Sequence, residues 1–261
     1  MITNDSVNKS RLSAAFCLLD ESGLVHGTDE VPSALVENIL NIRYGLEGEL
    51  RRLSTEKDDS FILICDGLHY LVKISSPAES RGVVEMQSAI MQWLNHHTAA
   101  WEVQNVISTL DGESLVPVHT TSLRYMRVLT YLSGDILATV PVDEAKLTLT
   151  GRAAGEIDLA LRGFAHQHDL RPLVWDLANI PTLAILQEEL TDETHRALAA
   201  EAFERFTRNV LPRMGELETQ VIHGDFSPYN ILVSAESADF VSGIIDFGDA
   251  VRTCVIFEPA V

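Results

Sequence analysis

The chain has 261 residues, 46% of them hydrophobic, enough to bury one large core or the cores of two lobes. Lys and Arg total 19 against 38 Asp and Glu, a formal net charge of −19. That charge argues against nucleic acid and anionic membrane as partners and suits a cationic small substrate. No apolar run reaches membrane-spanning length, and the N-terminus lacks the apolar core of a secretory signal. Cys17, Cys65 and Cys254 show neither metal-ligand spacing nor an even count. Free thiols in the cytoplasm are therefore expected.

Residues 1–31 read as an N-terminal extension, with a short helix over Arg11–Leu19 as one option. Pro32 suits a first helical turn, and Leu35, Ile39, Ile42 and Leu46 follow at helical spacing. Gly48–Leu53 and Phe61–Cys65 read as strands around a polar turn, Ser54–Ser60. Asp66-Gly67 is a hairpin signal, and His69–Ile74 is the returning strand. A helix is expected from Arg81 to His96, then strands at Val116–His119 and Arg124–Tyr131. Gly134 marks a break. Beyond it, apolar stripes predict helices between Asp143 and His166 and between Asp192 and Met214. Short strands at Val221-Ile222, Ile231–Val233 and Ser242–Ile245 flank two polar loops. The pattern is α+β: a β-rich lobe over 32–132 and a mainly helical lobe over 133–261.

The chemistry concentrates in VIHGDFSPYNILV and SGIIDFGDA. The order is His223-x-Asp225, Asn230 five positions on, and Asp246 sixteen after that, with Phe247 and Gly248 following. Phosphoryl transfer from ATP needs one carboxylate to deprotonate the attacking hydroxyl and hard oxygens to hold Mg²⁺ on the phosphates. Asp225 fits the base, and Asn230 and Asp246 fit the metal ligands. His223 fits a support for the loop, and Asp249 a brace beside it. Asp, Asn, Gly and Ser also fill ordinary turns; the ordered combination is what sets this segment apart.

This segment resembles the aminoglycoside phosphotransferase and choline kinase superfamily, with H-G-D where protein kinases have H-R-D. YGLEGELRRLSTEKDD, YLVKISSPAES, EMQSAIMQWL, RVLTYLSGD and WDLANIP are most similar to the hydroxylysine kinase group. The resemblance runs from about Pro32 to the end. It implies a protein-kinase-like two-lobed fold, ATP and Mg²⁺ as cofactors, and a small hydroxylated, amine-bearing substrate. It also implies that Thr130, Tyr131 and Leu132 form a hinge contacting adenine.

Lys73, in an alternating strand, is the candidate phosphate-binding cation. The next helix normally carries its acidic partner. Glu85 is the obvious residue, but Val83, Met86, Ile90 and Leu94 form the apolar face, which places Gln87 inward and Glu85 outward. Gln87 is therefore expected to hydrogen-bond Lys73. Ser60, in the polar turn, is a candidate phosphate contact. His166 and His168 read as helix-end residues, and Asp176 as either structural or substrate-facing.

Related proteins continue for several helices beyond the position of Val261, so a truncated second lobe with altered substrate binding is expected. A homodimer would cover the apolar surface left open. Two competing readings are a non-catalytic nucleotide-binding regulator and a metal-dependent hydrolase using His223, Asp225 and Asp246.

Overall fold

A computed structural model of the chain describes residues 4–24, 30–55, 57–98, 100–235 and 239–260. Parts of the extension at 1–3 and 25–29, residue 56 of the polar turn, and residue 261 lie outside the described residues.

Helix α1 spans Asn4–Glu21 and buries Ala15 and Leu18. It is tied to the second lobe through Ser22, whose hydroxyl accepts from the Val174 amide at 2.9 Å. Helix α2 (Ser33–Ile39) begins directly after Pro32 and runs into a π-helical turn, Leu40–Tyr44.

The first sheet is built on β1 (Glu49–Leu53), β2 (Asp59–Cys65) and β3 (Leu68–Ile74). Asp66 and Gly67 both have positive φ, 51° and 77°, the backbone of a two-residue hairpin whose twist matches its strands. The turn between β1 and β2 is shorter than expected. Asp59 and Ser60 belong to β2, where Ser60 lies opposite Lys73. The cause is Asp59: its buried carboxylate takes Arg124 at 2.7 Å and also pairs with Arg52, fixing the strand from its first residue.

Helix α3 (Arg81–His97) follows, capped by the Ser80 hydroxyl. Next come β4 (Glu102–Val103), β5 (Val106–Ile107), β6 (Val116–His119), β7 (Leu123–Thr130) and β8 (Asp135–Ile136). The first sheet runs β1-β2-β3-β7-β5, with β6 also on β7.

Helix α4 (Glu144–Leu161) is capped by Asp143. It stops at Gly163, φ 88°, so His166 and His168 sit in the following loop rather than at a helix end. A short α5 (Ile180–Leu183) precedes α6 (Glu193–Asn209), capped by Asp192. The segment to Met214 is not a continuation of α6: Pro212 lies at the start of a separate 3₁₀ turn. The chain ends with β9 (Thr219–Ile222), β10 (Ile231–Val233), β11 (Val241–Ile244), β12 (Val251–Cys254) and a 3₁₀ turn, Val255–Ala260. A second sheet orders β4-β11-β10-β8, and β12 pairs with β9.

The largest core crosses between the two sheets. Met86, Ile90 and Leu94 of α3 pack with Ile157 and Leu161 of α4, and with Val221, Ile244 and Phe247 around the polar loops. Burying such side chains stabilises by about 1.5–3 kcal/mol each. The helix behind the first sheet and the loops of the second therefore form one packed body. Among the described residues, no helix is long and apolar enough to cross a membrane.

Candidate active site

A cavity of about 860 Å³ lies between the two sheets. One end is apolar, lined by Ile62, Leu71, Leu132, Ile136, Leu232 and Ile245. The other is polar, with Lys57, Asp58, Lys73, Asp225, Asp246 and Asp249 on its walls.

Strand pairing delivers the polar residues. The β9 strand ends at Ile222 and releases His223-Gly224-Asp225. The antiparallel β10–β11 hairpin then presents Asn230 and Asp246 at its same open end, where Ile245 N donates to Asn230 O at 3.0 Å. Asn230 Nδ2 donates to the Asp225 carbonyl at 3.0 Å and to Asp225 Oδ2 at 2.6 Å. Burial first, and then the Asp249 charge, push the Asp225 carboxyl above its ordinary range.

His223 is fully buried. Its Nε2 contacts the Ile245 carbonyl at 3.0 Å, and its Nδ1 accepts the Asp225 amide at 3.2 Å. Its ring packs on Phe247, centroids 4.8 Å apart. Burial holds the imidazole below its usual pKa, so it is a neutral strut between the two loops. Gly224 has φ 80°, and a Cβ there would lie 2.3 Å from the Asp249 carbonyl. Only glycine lets the two loops touch.

Lys73 is buried, with Nζ 3.0 Å from Asp246 Oδ1 and 3.2 Å from Asp58 Oδ2. Burial alone would lower its pKa, but Asp246 and Asp58 outweigh it and raise the ammonium above the lysine range. Reciprocally, Lys73 draws the Asp246 carboxyl down to about 2. Asp246 itself adopts φ 61° and accepts Gly248 N at 3.1 Å.

Gln87 is not the partner of Lys73. It is buried on the inner face of α3, but its Oε1 accepts from Arg127, and its Nε2 reaches Glu79 and the Gly248 carbonyl, each at 3.3 Å. The cationic Arg127, on the strand beside Lys73, claims the Gln87 carbonyl. Glu85 is half-buried and pairs with Arg81 at 2.7 Å. The missing counter-charge comes from Asp58, at the end of the β1–β2 turn and anchored by the Ser76 amide at 3.0 Å.

Tyr131 and Leu132 line the cavity. Thr130 instead spends its backbone within the lobe: its amide donates to Asn105 O at 2.9 Å, and its carbonyl accepts Gln104 Nε2 at 3.2 Å. Those bonds occupy the groups a hinge contact would need. Ser60 lines the cavity beside Lys73. Asp176 caps a 3₁₀ turn and accepts from Thr253 at 2.8 Å, a structural use.

The sequence profile of the phosphotransferase enzyme family matches residues 49–261. The chain belongs to this family. Hydroxylysine kinase of Mus musculus is 27% identical over 259 residues, covering 90% of this chain and 68% of that protein. Hydroxylysine kinase of Danio rerio is 26% identical over 241 residues, covering 87% and 67%. The chain thus spans about two thirds of the length of these curated relatives. Among solved structures, a microcompartment-associated aminopropanol kinase superposes with a TM-score of 0.71 at 15% identity, covering 87% of this chain and 72% of that one. An amicoumacin kinase solved with AMP-PNP and Ca²⁺ superposes at 0.66 with 12% identity, covering 88% and 68%. The fold is the kinase-like α+β fold of these structures.

Several side chains of this phosphotransferase-family site carry no motif signal. Arg171 is buried, donating to the Gly248 carbonyl at 2.7 Å and pairing with Glu79 at 3.1 Å. Glu258 accepts from the His223 amide at 2.6 Å and the Gly224 amide at 3.3 Å. Each acts on main-chain atoms far away in sequence, and only the fold reveals that.

Proposed function

We propose that this chain transfers the terminal phosphoryl group of ATP to a hydroxyl of a small amine-bearing molecule, such as hydroxylysine or an amino alcohol. The observation that carries this is that Asp225 and Asp246 line one cavity, with Asn230 bonded to Asp225 and Lys73 fixed to Asp246. We read residues 32–132 as the nucleotide lobe and 133–261 as the catalytic lobe, in a cytoplasmic protein with Cys17, Cys65 and Cys254 free.

The apolar end of the cavity suits a planar base against Leu132, Ile136 and Leu232. Lys73 then faces the phosphates. The metal donors are hard oxygens: the Asp246 carboxylate, and the Asn230 carbonyl oxygen left over once its nitrogen is bonded to Asp225. Two such ligands plus phosphate oxygens suit Mg²⁺, which is rarely enclosed by protein alone. Bound there, Mg²⁺ would neutralise charge developing on the phosphates. The low pKa of Asp246 keeps it ionised for this at any physiological pH. Asp225, oriented by Asn230, takes the proton of the acceptor hydroxyl. Its raised pKa makes it a better base than an ordinary aspartate. Asp249 and Trp175 also line the cavity, a carboxylate and an aromatic face suited to an ammonium group.

The test is ADP release with hydroxylysine, ethanolamine, choline, homoserine and aminoglycosides, with and without Mg²⁺. Asp225→Asn should bind Mg·ATP within about twofold of the unmodified chain and lose at least about 10²-fold in turnover. Nucleotide binding with no turnover of any acceptor in either form would favour a regulator. Turnover indifferent to ATP would favour a hydrolase.

A further inference from the structure

The β1–β2 turn overhangs the polar end of the cavity and supplies Thr55, Lys57 and Asp58 to its lining. Its two charged neighbours point to different elements. Asp58 faces inward, to Lys73 and the Ser76 amide, and so anchors the base of the turn. Lys57 reaches across the cavity to the metal loop, with Nζ 2.8 Å from Asp249 Oδ1.

Lys57–Asp249 repeats the arrangement of Lys73–Asp246. In both, a lysine from the first sheet is neutralised by an aspartate of the Asp246–Asp249 loop. The two lysines differ in how they are mounted. Lys73 is buried in a strand and cannot leave. Lys57 stands on a turn, and both partners of its pair keep about a fifth of their side-chain surface in solvent (20% and 17%). Lys57 lies on the cavity wall and can move with its turn, so a ligand anion entering the cavity can take it from Asp249. A phosphate group offers the same charge-assisted oxygens as a carboxylate, with more charge.

We propose that Lys57 is a nucleotide-contacting residue: its ion pair with Asp249 stands in for the terminal phosphate, which displaces Asp249 when a nucleoside triphosphate binds. This inference rests on the phosphotransferase reading above. Lys73 serves the phosphates from the strand and Lys57 covers them from the turn, in a turn that lacks glycine. The exchange also leaves Asp249 unpaired beside Asp225, whose pKa it already raises, and so available to the ammonium of an acceptor. Binding of the triphosphate thereby prepares the acceptor side.

The experiment is calorimetric titration of adenosine, ADP and AMP-PNP, with Mg²⁺, into the full chain and its Lys57→Ala, Lys57→Arg and Asp249→Asn variants. Melting curves first establish that each variant is folded. Lys57→Ala should weaken AMP-PNP by about tenfold or more and leave adenosine within about twofold; Lys57→Arg, which keeps the charge, should restore AMP-PNP to within about threefold. Asp249→Asn should bind AMP-PNP at least as tightly as the unmodified chain, because the competing carboxylate is gone. A plain inter-lobe clasp would instead make Lys57→Ala and Asp249→Asn fail together. That result, or AMP-PNP binding unchanged in Lys57→Ala, would overturn the proposal alone. Failure of the unmodified chain to bind any of the three would overturn the phosphotransferase reading with it.

Discussion

Gln87 shows how one side chain can replace an ion pair by organising several others. Its carbonyl holds Arg127, which also donates to Val84 O and Ser88 Oγ at 3.3 Å each. Its amide shares the Gly248 carbonyl with Arg171. Helix α3 is thereby coupled to the Asp246–Asp249 loop through the Gln87 amide, while Asp58 and Asp246 supply the charge for Lys73. Gln87→Leu keeps the volume but removes one acceptor from the buried Arg127 and leaves the Gly248 carbonyl to Arg171 alone, so it should cost about 1–3 kcal/mol in urea unfolding. It should also lower kcat through a loosened Asp246–Asp249 loop. A stability within a few tenths of a kcal/mol of the unmodified chain would show that the Gln87 bonds do not hold the loop. The helical periodicity of α3 was enough to place Gln87 inward. It could not name the partner, because Arg127 reaches Gln87 through strand pairing forty positions away.

At the scale of elements, legibility followed locality. The β2–β3 hairpin was readable because Asp66-Gly67 encodes its own turn, and β10 and β11 because short strands with apolar residues flank polar loops. The Val255–Ala260 turn was not. The turn is 3₁₀ and aims Glu258 at the His223 and Gly224 amides. Burial, and then Asp158 of α4, raise the Glu258 carboxyl to about 7, while burial raises Asp158 to about 6. A carboxyl raised in the folded state favours folding when protonated. Stability from Glu258 is therefore complete below its ordinary value of 4.5 and is lost as pH rises towards 7. The loss is at most about 3 kcal/mol. Glu258→Gln keeps an acceptor oxygen without the charge, so it should flatten the pH dependence of the unfolding midpoint between pH 5 and 8. It should also raise the midpoint at pH 8. Parallel pH profiles for the two proteins would remove Glu258 as the cause. Glu258→Ala leaves the His223 and Gly224 amides buried without an acceptor, and should destabilise at every pH by about 1–3 kcal/mol for each amide.

On the scale of the whole molecule, the charges are sorted. Lys57 and Lys73 line the cavity, each paired with an aspartate, while Arg171 pairs with Glu79 and Arg127 bonds Gln87; the chain as a whole carries a formal charge of −19. For the proposed reaction, such an outer field would repel the nucleotide and attract a cationic acceptor. The cavity lysines would compensate the nucleotide only once it had entered. Exposed charges are screened over about 8 Å at physiological ionic strength, so salt should act on the outer field and spare the buried pairs. With nucleotide saturating, kcat/KM for an amine-bearing acceptor should fall several-fold as salt rises from about 0.02 to 0.5 M. For an uncharged alcohol acceptor it should stay flat, and KM for Mg·ATP should not rise. The acidic composition would then be a steering device as well as a source of solubility. Equal salt responses for charged and uncharged acceptors would mean that recognition of the amine is confined to contacts inside the cavity, with Asp249 and Trp175 as the groups to replace next.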